Sequence, residues 1–212
     1  MGKEFKEKRF AVQAEYAESI FQTSLGNVEA SIAALERALE IDSEYAPAIL
    51  SMGSVEYQRG ELNRGKELFL SLLSLPESAA DDGERDLAEI IDEAGTFLIE
   101  KGRYSDGLEL YRAAVNRFTD YTFLYQGVGC CADHEGLHTE AISALEASLK
   151  LEPENQELVN DLGWSLFEAG RLDDAKQMLA KAVEMNPSDV LARENLRICL
   201  NAFPEEDSKE YR

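Results

Sequence analysis

The chain has 212 residues, 44% hydrophobic and 30% charged, with a net charge of −21 and a pI near 4.4. So acidic a surface repels phosphate backbones, which excludes nucleic acid as the expected partner. Three cysteines, two of them adjacent, make no disulfide framework, and no run approaches the roughly 18 apolar residues of a membrane span, so a cytoplasmic protein without membrane insertion is expected. Met1-Gly2-Lys3-Glu4-Phe5-Lys6 has no apolar signal core, and Lys6 stands where a myristoylation motif wants Ser or Thr.

Residues 3 to 25 read as one helix with Phe10, Val12, Tyr16, Ile20 and Phe21 apolar, and Gly26 closes it. A second helix follows with Ser31, Leu35 and Ala38. The next pair runs from Ala46 to Pro76, with Ile49 and Met52-Gly53 on its first helix, Gly60 at the turn, and Gly65 and Phe69 on its second. Gly60 lies 34 residues after Gly26, but Gly102 lies 42 after Gly60, so eight residues have been added. They fall between Pro76 and Asp86, a stretch with Ser78, Asp81, Asp82 and Gly83. An open acidic loop competes here with two extra helical turns capped by Asp81 or Asp82. A mixture is expected, with the helix starting between Asp82 and Asp86. The third pair has Ile91, Ala94-Gly95, Gly102, Gly107, Tyr111 and Ala114.

From Thr122 to Asn186 one pattern occurs almost twice. Gly129 and Gly163 are 34 apart, as are Gly136 and Gly170, Ala141 and Ala175, Leu145 and Leu179, and Pro153 and Pro187. A fixed period of this size marks a helical repeat array. In the later copy Leu158, Leu162 and Leu166 form an apolar stripe, Gly170 takes the turn, and Ala175, Leu179, Ala182 and Val183 form a second stripe that closes at Asn186-Pro187. Gly163 and Ala175 are small, which lets two helix axes approach to about 8–10 Å. Val190 to Asn201 is then a lone helix with Leu196, Cys199 and Leu200, ended by Phe203-Pro204.

In these residues the chain resembles the tetratricopeptide repeat family. Tyr125, Val128-Gly129, Gly136, Ala141, Leu145, Ser148 and Pro153 fill the family pattern once, and Val159, Leu162-Gly163, Gly170, Ala175, Leu179, Ala182 and Pro187 fill it again. The resemblance implies an all-α fold: an α-solenoid of some eleven helices without strands, stacked as helix-turn-helix hairpins into a right-handed superhelix. The expected organisation is a single array over 1–202, with units at about 12–45, 46–76, 88–119, 122–155 and 156–189, a capping helix at 190–202, an acidic insertion at 77–87 and an acidic tail at 203–212. Glu15, Glu18 and Gln22 occupy positions the family buries, so the first helix is expected to be rotated or end-capping.

Three strings imitate chemistry. His134-Glu135-Gly136-Leu137-His138 spells the H-E-x-x-H of zinc peptidases, in which one continuous helix puts both histidines on one face with the glutamate as base. Gly136 is the repeat's turn glycine, so the histidines are expected on two different helices and a zinc hydrolase is only a remote alternative. Gly127-Val128-Gly129-Cys130-Cys131-Ala132 matches a degenerate dinucleotide fingerprint, but no strand precedes it. Cys130 and His134 share a helix face without two further convergent ligands. No catalytic, cofactor or metal residue is assigned.

What remains is a surface. The resemblance implies that the first helix of each unit lines a concave groove. Transferred by register, its exposed positions are Leu50 and Tyr57, then Glu89, Asp92 and Glu93, then Phe123, Gln126, Asp133 and His134, and finally Glu157, Asn160, Asp161, Trp164 and Phe167. Acidic groups with aromatic anchors suit a partner peptide or helix carrying basic and apolar side chains. Family members that hold chaperone C-termini clamp a carboxylate with lysine and asparagine, and the corresponding positions here are mostly acidic or apolar. A non-catalytic interaction scaffold is therefore expected, with a self-assembling homo-oligomer as the alternative.

Overall fold

The computed structural model describes the backbone of residues 3–80 and 85–202, and side chains from Lys6 onward; the expected acidic tail and residues 81–84 of the insertion lie outside the described residues. Eleven α-helices and no strand occur among the described residues. They are α1 (Lys3–Ser24), α2 (Val28–Ile41), α3 (Ala46–Arg59), α4 (Leu62–Ser71), α5 (Leu87–Glu100), α6 (Tyr104–Arg117), α7 (Thr122–His134), α8 (His138–Leu151), α9 (Gln156–Glu168), α10 (Leu172–Met185) and α11 (Val190–Asn201). The chain divides into two compact units, Met1–Asp106 and Gly107–Arg212.

Local chemistry explains the hairpins. Gly26, Gly60, Gly102, Gly136 and Gly170 close five helices with φ between 65° and 87°. Small residues then set how closely the paired helices pack. A Cβ on Gly53 would stand 2.4 Å from the Phe69 ring, one on Gly129 2.9 Å from Leu145, and one on Gly163 2.7 Å from Leu179. In each case the residue filling the space lies 16 positions later, so the same knob and hole recur in three hairpins.

In the first unit, α1 and α2 pack on α3 through Val12, Leu35, Ala38, Tyr45, Ala48 and Met52. Glu56 is buried, and Arg64 and Arg59 reach its carboxylate at 3.4 and 3.9 Å. A 3-10 turn, Leu72–Ser74, extends α4 ahead of the insertion, which begins with a second, Glu77–Ala80, that buries Ala79 and Ala80. Helix α5 starts only at Leu87 because Asp86 caps it. The Asp86 side chain accepts from the Glu89 N–H at 2.9 Å and the Glu89 side chain accepts from the Asp86 N–H at 2.7 Å. That reciprocal box satisfies two helix N-terminal donors.

The second unit is built on Leu145, Leu158, Leu162, Leu166, Ala175 and Leu179. Helix α11 adds Ala192 beside Val159 and Ala182, and Cys199 beside Leu179. Asp189 starts it, its side chain accepting from the Leu191 and Ala192 N–H groups.

Candidate binding groove

Helices α7, α9 and α11 of the second unit enclose a groove of about 560 Å³. Gln126, Cys130, Asp133 and His134 come from α7, Asn160, Asp161, Trp164 and Glu168 from α9, and Leu191 and Asn195 from α11. Residues 3 or 4 apart share a helical face, which is why each helix can present its set together.

A polar network ties the floor. Gln126 donates from Nε2 to Asp161 at 2.8 Å, and Asn195 donates from Nδ2 to Asn160 Oδ1 at 3.1 Å. Asp133 accepts from Ser165 Oγ, and its other oxygen lies 3.0 Å from His138 Nδ1. Burial pushes the Asp161 carboxyl up from its ordinary value, the Gln126 and Asn160 hydrogen bonds oppose that, and the neighbouring Glu157 and Asp133 charges add to it. Cys130 reports the same field: burial pushes its thiol up, and the Asp161 and Asp133 charges push it further. Cys131, turned into the core beside it, is pushed up to about 12 by burial. Neither thiol is therefore an activated nucleophile. No lysine or arginine lines the groove among the described residues. Trp164, half-buried, supplies its aromatic surface, and its ring lies 5.2 Å from that of Phe167.

Of the residues expected from register, Gln126, Asp133, His134, Asn160, Asp161 and Trp164 meet at this groove. Phe167 instead packs against the hydrophobic core, Phe123 lies 5.3 Å from the Tyr121 ring, and Glu157 stands exposed in the first turn of α9. In the first unit, Leu50 and Tyr57 are buried. The Tyr57 ring occupies the space left by Gly65, stacks 5.4 Å from Phe69, and its hydroxyl donates to Asp106 at 3.3 Å. Glu89 is committed to the α5 capping box, Glu93 accepts two hydrogen bonds from Arg85 at 2.7 and 2.8 Å, and Asp92 is half-buried on the same helix. Sequence reasoning missed Ser165, Leu191 and Asn195. Asn195 lies 34 residues after Asp161, so carrying the register one helix further reaches it.

The H-E-x-x-H string is split as its glycine requires. His134 ends α7, His138 begins α8, and between them Gly136 sits at φ 74°, a left-handed conformation that glycine enters without steric cost. The dinucleotide-like string lies wholly inside α7.

Comparison with known proteins agrees with this architecture. Residues 134–196 and 19–45 each match a family profile described as a tetratricopeptide repeat. A peroxisomal targeting signal receptor of Candida albicans is 24% identical over 173 residues, covering 81% of this chain and 29% of that protein. The chain thus spans under a third of that relative's length. Among solved structures, YrrB, described as a TPR protein with an unusual peptide-binding site, superposes with a TM-score of 0.61 at 22% identity, covering 92% of this chain and 96% of YrrB. The first TPR of Spaghetti (RPAP3), bound to the HSP90 peptide SRMEEVD, gives a TM-score of 0.52 at 18% identity, covering 54% of this chain and 91% of that one.

Proposed function

The chain belongs to the tetratricopeptide repeat family, and from that premise we propose a non-catalytic protein-interaction scaffold whose α7–α9–α11 groove holds a partner segment with basic and apolar side chains. The observation that carries this reading is the pairing of Trp164 with Asp133, Asp161 and Glu168 in one groove that no lysine or arginine lines among the described residues. Like charges between low-dielectric walls focus their field into the cleft and steer a cation inward, and a half-buried indole gives it an apolar anchor. The Asp161 carboxyl held up by burial points the same way, because a cation beside it restores the charged form and strengthens the pair.

The peptide-binding relatives support the class of activity and not its specificity. The RPAP3 repeat is bound to an acidic peptide, whereas carboxylates would meet carboxylates in this groove. The test is calorimetry with two synthetic helices of one length, Lys/Leu-rich and Glu/Leu-rich. The reading expects binding by the first only, weakened by Trp164→Ala and Glu168→Lys and unchanged by Glu146→Lys, an exposed charge on α8. Binding of the acidic helix, or loss of binding with Glu146→Lys alone, rejects it.

A further inference from the structure

Helix α1 is apolar on two opposite faces. Val12 is fully buried against α2 and α3, and Tyr16 turns the same way, edge-on to Tyr45 with ring centroids 5.5 Å apart. On the other side Phe10, Ala14, Ala17 and Phe21 follow one helical stripe, and all four are exposed, Phe10 at 74% and Phe21 at 55%. A single exposed apolar residue is ordinary. A continuous stripe carrying two phenylalanines marks a surface that another element covers.

Register identifies the kind of element. Aligned on the turn glycines Gly26 and Gly170, Ala14, Ala17 and Phe21 stand where α9 has Leu158, Asp161 and Ser165. On α9 those positions are turned toward the preceding helices, with Asp161 and Ser165 hydrogen-bonded to α7. The stripe on α1 is therefore a helix-receiving face that is open to solvent.

We propose that it receives the same face of a second copy of this chain, the two α1 helices lying antiparallel about a two-fold axis. Two observations choose that occupant. The stripe reads alike in both directions: in antiparallel pairing Phe10 lies opposite Phe21 of the second copy and Ala14 opposite Ala17, with small residues at the centre where the axes approach. Charge agrees. Although the chain carries −21, α1 holds Lys3, Lys6, Lys8 and Arg9 against Glu4, Glu7, Glu15 and Glu18, and is neutral. All its basic residues lie in the N-terminal half, where Lys8 pairs with Asp42 at 3.2 Å, while Glu15 and Glu18 stand in the C-terminal half, Glu15 bridged by Arg37 of α2 at 2.8 Å. Antiparallel pairing sets the basic half of one helix against the acidic half of the other, and parallel pairing sets like halves together. This contact is independent of the groove and uses none of its residues.

The experiment is sedimentation equilibrium of the full chain from low to several hundred micromolar. Mass should rise from one chain to two, and Phe21→Asp and Ala17→Glu should each cut the dimer fraction at least tenfold with unchanged helical circular dichroism and melting temperature. Orientation is read by mild oxidation of a mixture of Phe10→Cys and Phe21→Cys chains, with the parent as control for its own thiols. These positions are about 16 Å apart along one helix, so the mixture should cross-link and neither variant should do so alone. A chain that stays monomeric at the highest concentration overturns the proposal, as do variants that dimerise like the parent. Cross-linking of Phe10→Cys to itself overturns the antiparallel arrangement.

Discussion

On α9 the face turned toward the preceding helix is partly polar: Ser165 donates to Asp133, Gln126 donates to Asp161, and beside them Trp164 and Glu168 open into a groove. On α1 the equivalent places hold Ala17 and Phe21, and they lie in solvent. Both helices open a hairpin and both end at a left-handed glycine, so the backbone period does not separate them. The side chains placed on a shared face separate them, since in a repeat array each unit answers mainly to its neighbours. Buried carboxylates differ in the same manner. In the first unit burial pushes the Asp106 carboxyl up, but hydrogen bonds and charge from Arg103 and Lys66 outweigh it and hold the group below its ordinary value. In the second unit Asp161 has amide partners and no cation among the described residues, and burial holds it high.

Exchanging the residues of the two faces is the strongest way to break the comparison. Ser165→Phe overfills a closed site and removes the donor to Asp133, so it should lower unfolding free energy by about 2–4 kcal/mol in urea titrations. The reverse exchange, Phe21→Ser, should stay within about 0.5 kcal/mol in the monomer, because its side chain is exposed. Next in size, Trp164→Ala should weaken a basic helical ligand by about 2 kcal/mol, mostly through faster dissociation, as read by surface-immobilised binding kinetics.

The carboxylates sharpen the contrast through pH. Asp161 has a folded-state pKa above its unfolded value, so its contribution to stability is fully present below the ordinary aspartate pKa and is lost as pH rises through the raised one. Asp106 has a folded-state pKa below its unfolded value, so its contribution is present near neutrality and lost as pH falls through the lowered one. In urea midpoints measured from acid to neutral pH, Asp161→Asn should gain relative stability as pH rises, and Asp106→Asn should lose it. The smallest expected effect is on metal. With His134 and His138 on separate helices, elemental analysis should find no stoichiometric zinc, and their joint change to Ala should leave that content unaltered.

The hairpins were legible in the sequence because glycine, alanine and proline carry their meaning locally: Gly136 needs a left-handed turn wherever it stands, and Gly163 needs a neighbour such as Leu179 close by. The groove was legible in part on α7 and α9, where the register brings Gln126, Asp133, His134, Asn160, Asp161 and Trp164 together but also offered Phe123, Glu157 and Phe167, which lie elsewhere. It failed to show in register that Tyr57 would be buried, because Gly65 lies on the following helix and leaves room for the ring. Nor did register show that Glu89 and Glu93 would be engaged by Asp86 and Arg85, at the edge of the inserted stretch where the period is interrupted. Asn195 was overlooked because α11 read as a cap, though one more step of the period reaches it. The apolar stripe of α1 was visible residue by residue, and only exposure separates Phe21 from Val12.

Trp164 is the chain's single tryptophan, so its fluorescence reports on the groove and on nothing else. The most direct test is a fluorescence titration of the full chain with the Lys/Leu helix at low and high salt. The account predicts a saturable blue shift as the indole is covered, with an affinity that falls as salt rises. An emission spectrum that the basic helix leaves unmoved, while the Glu/Leu helix shifts it, would contradict the account.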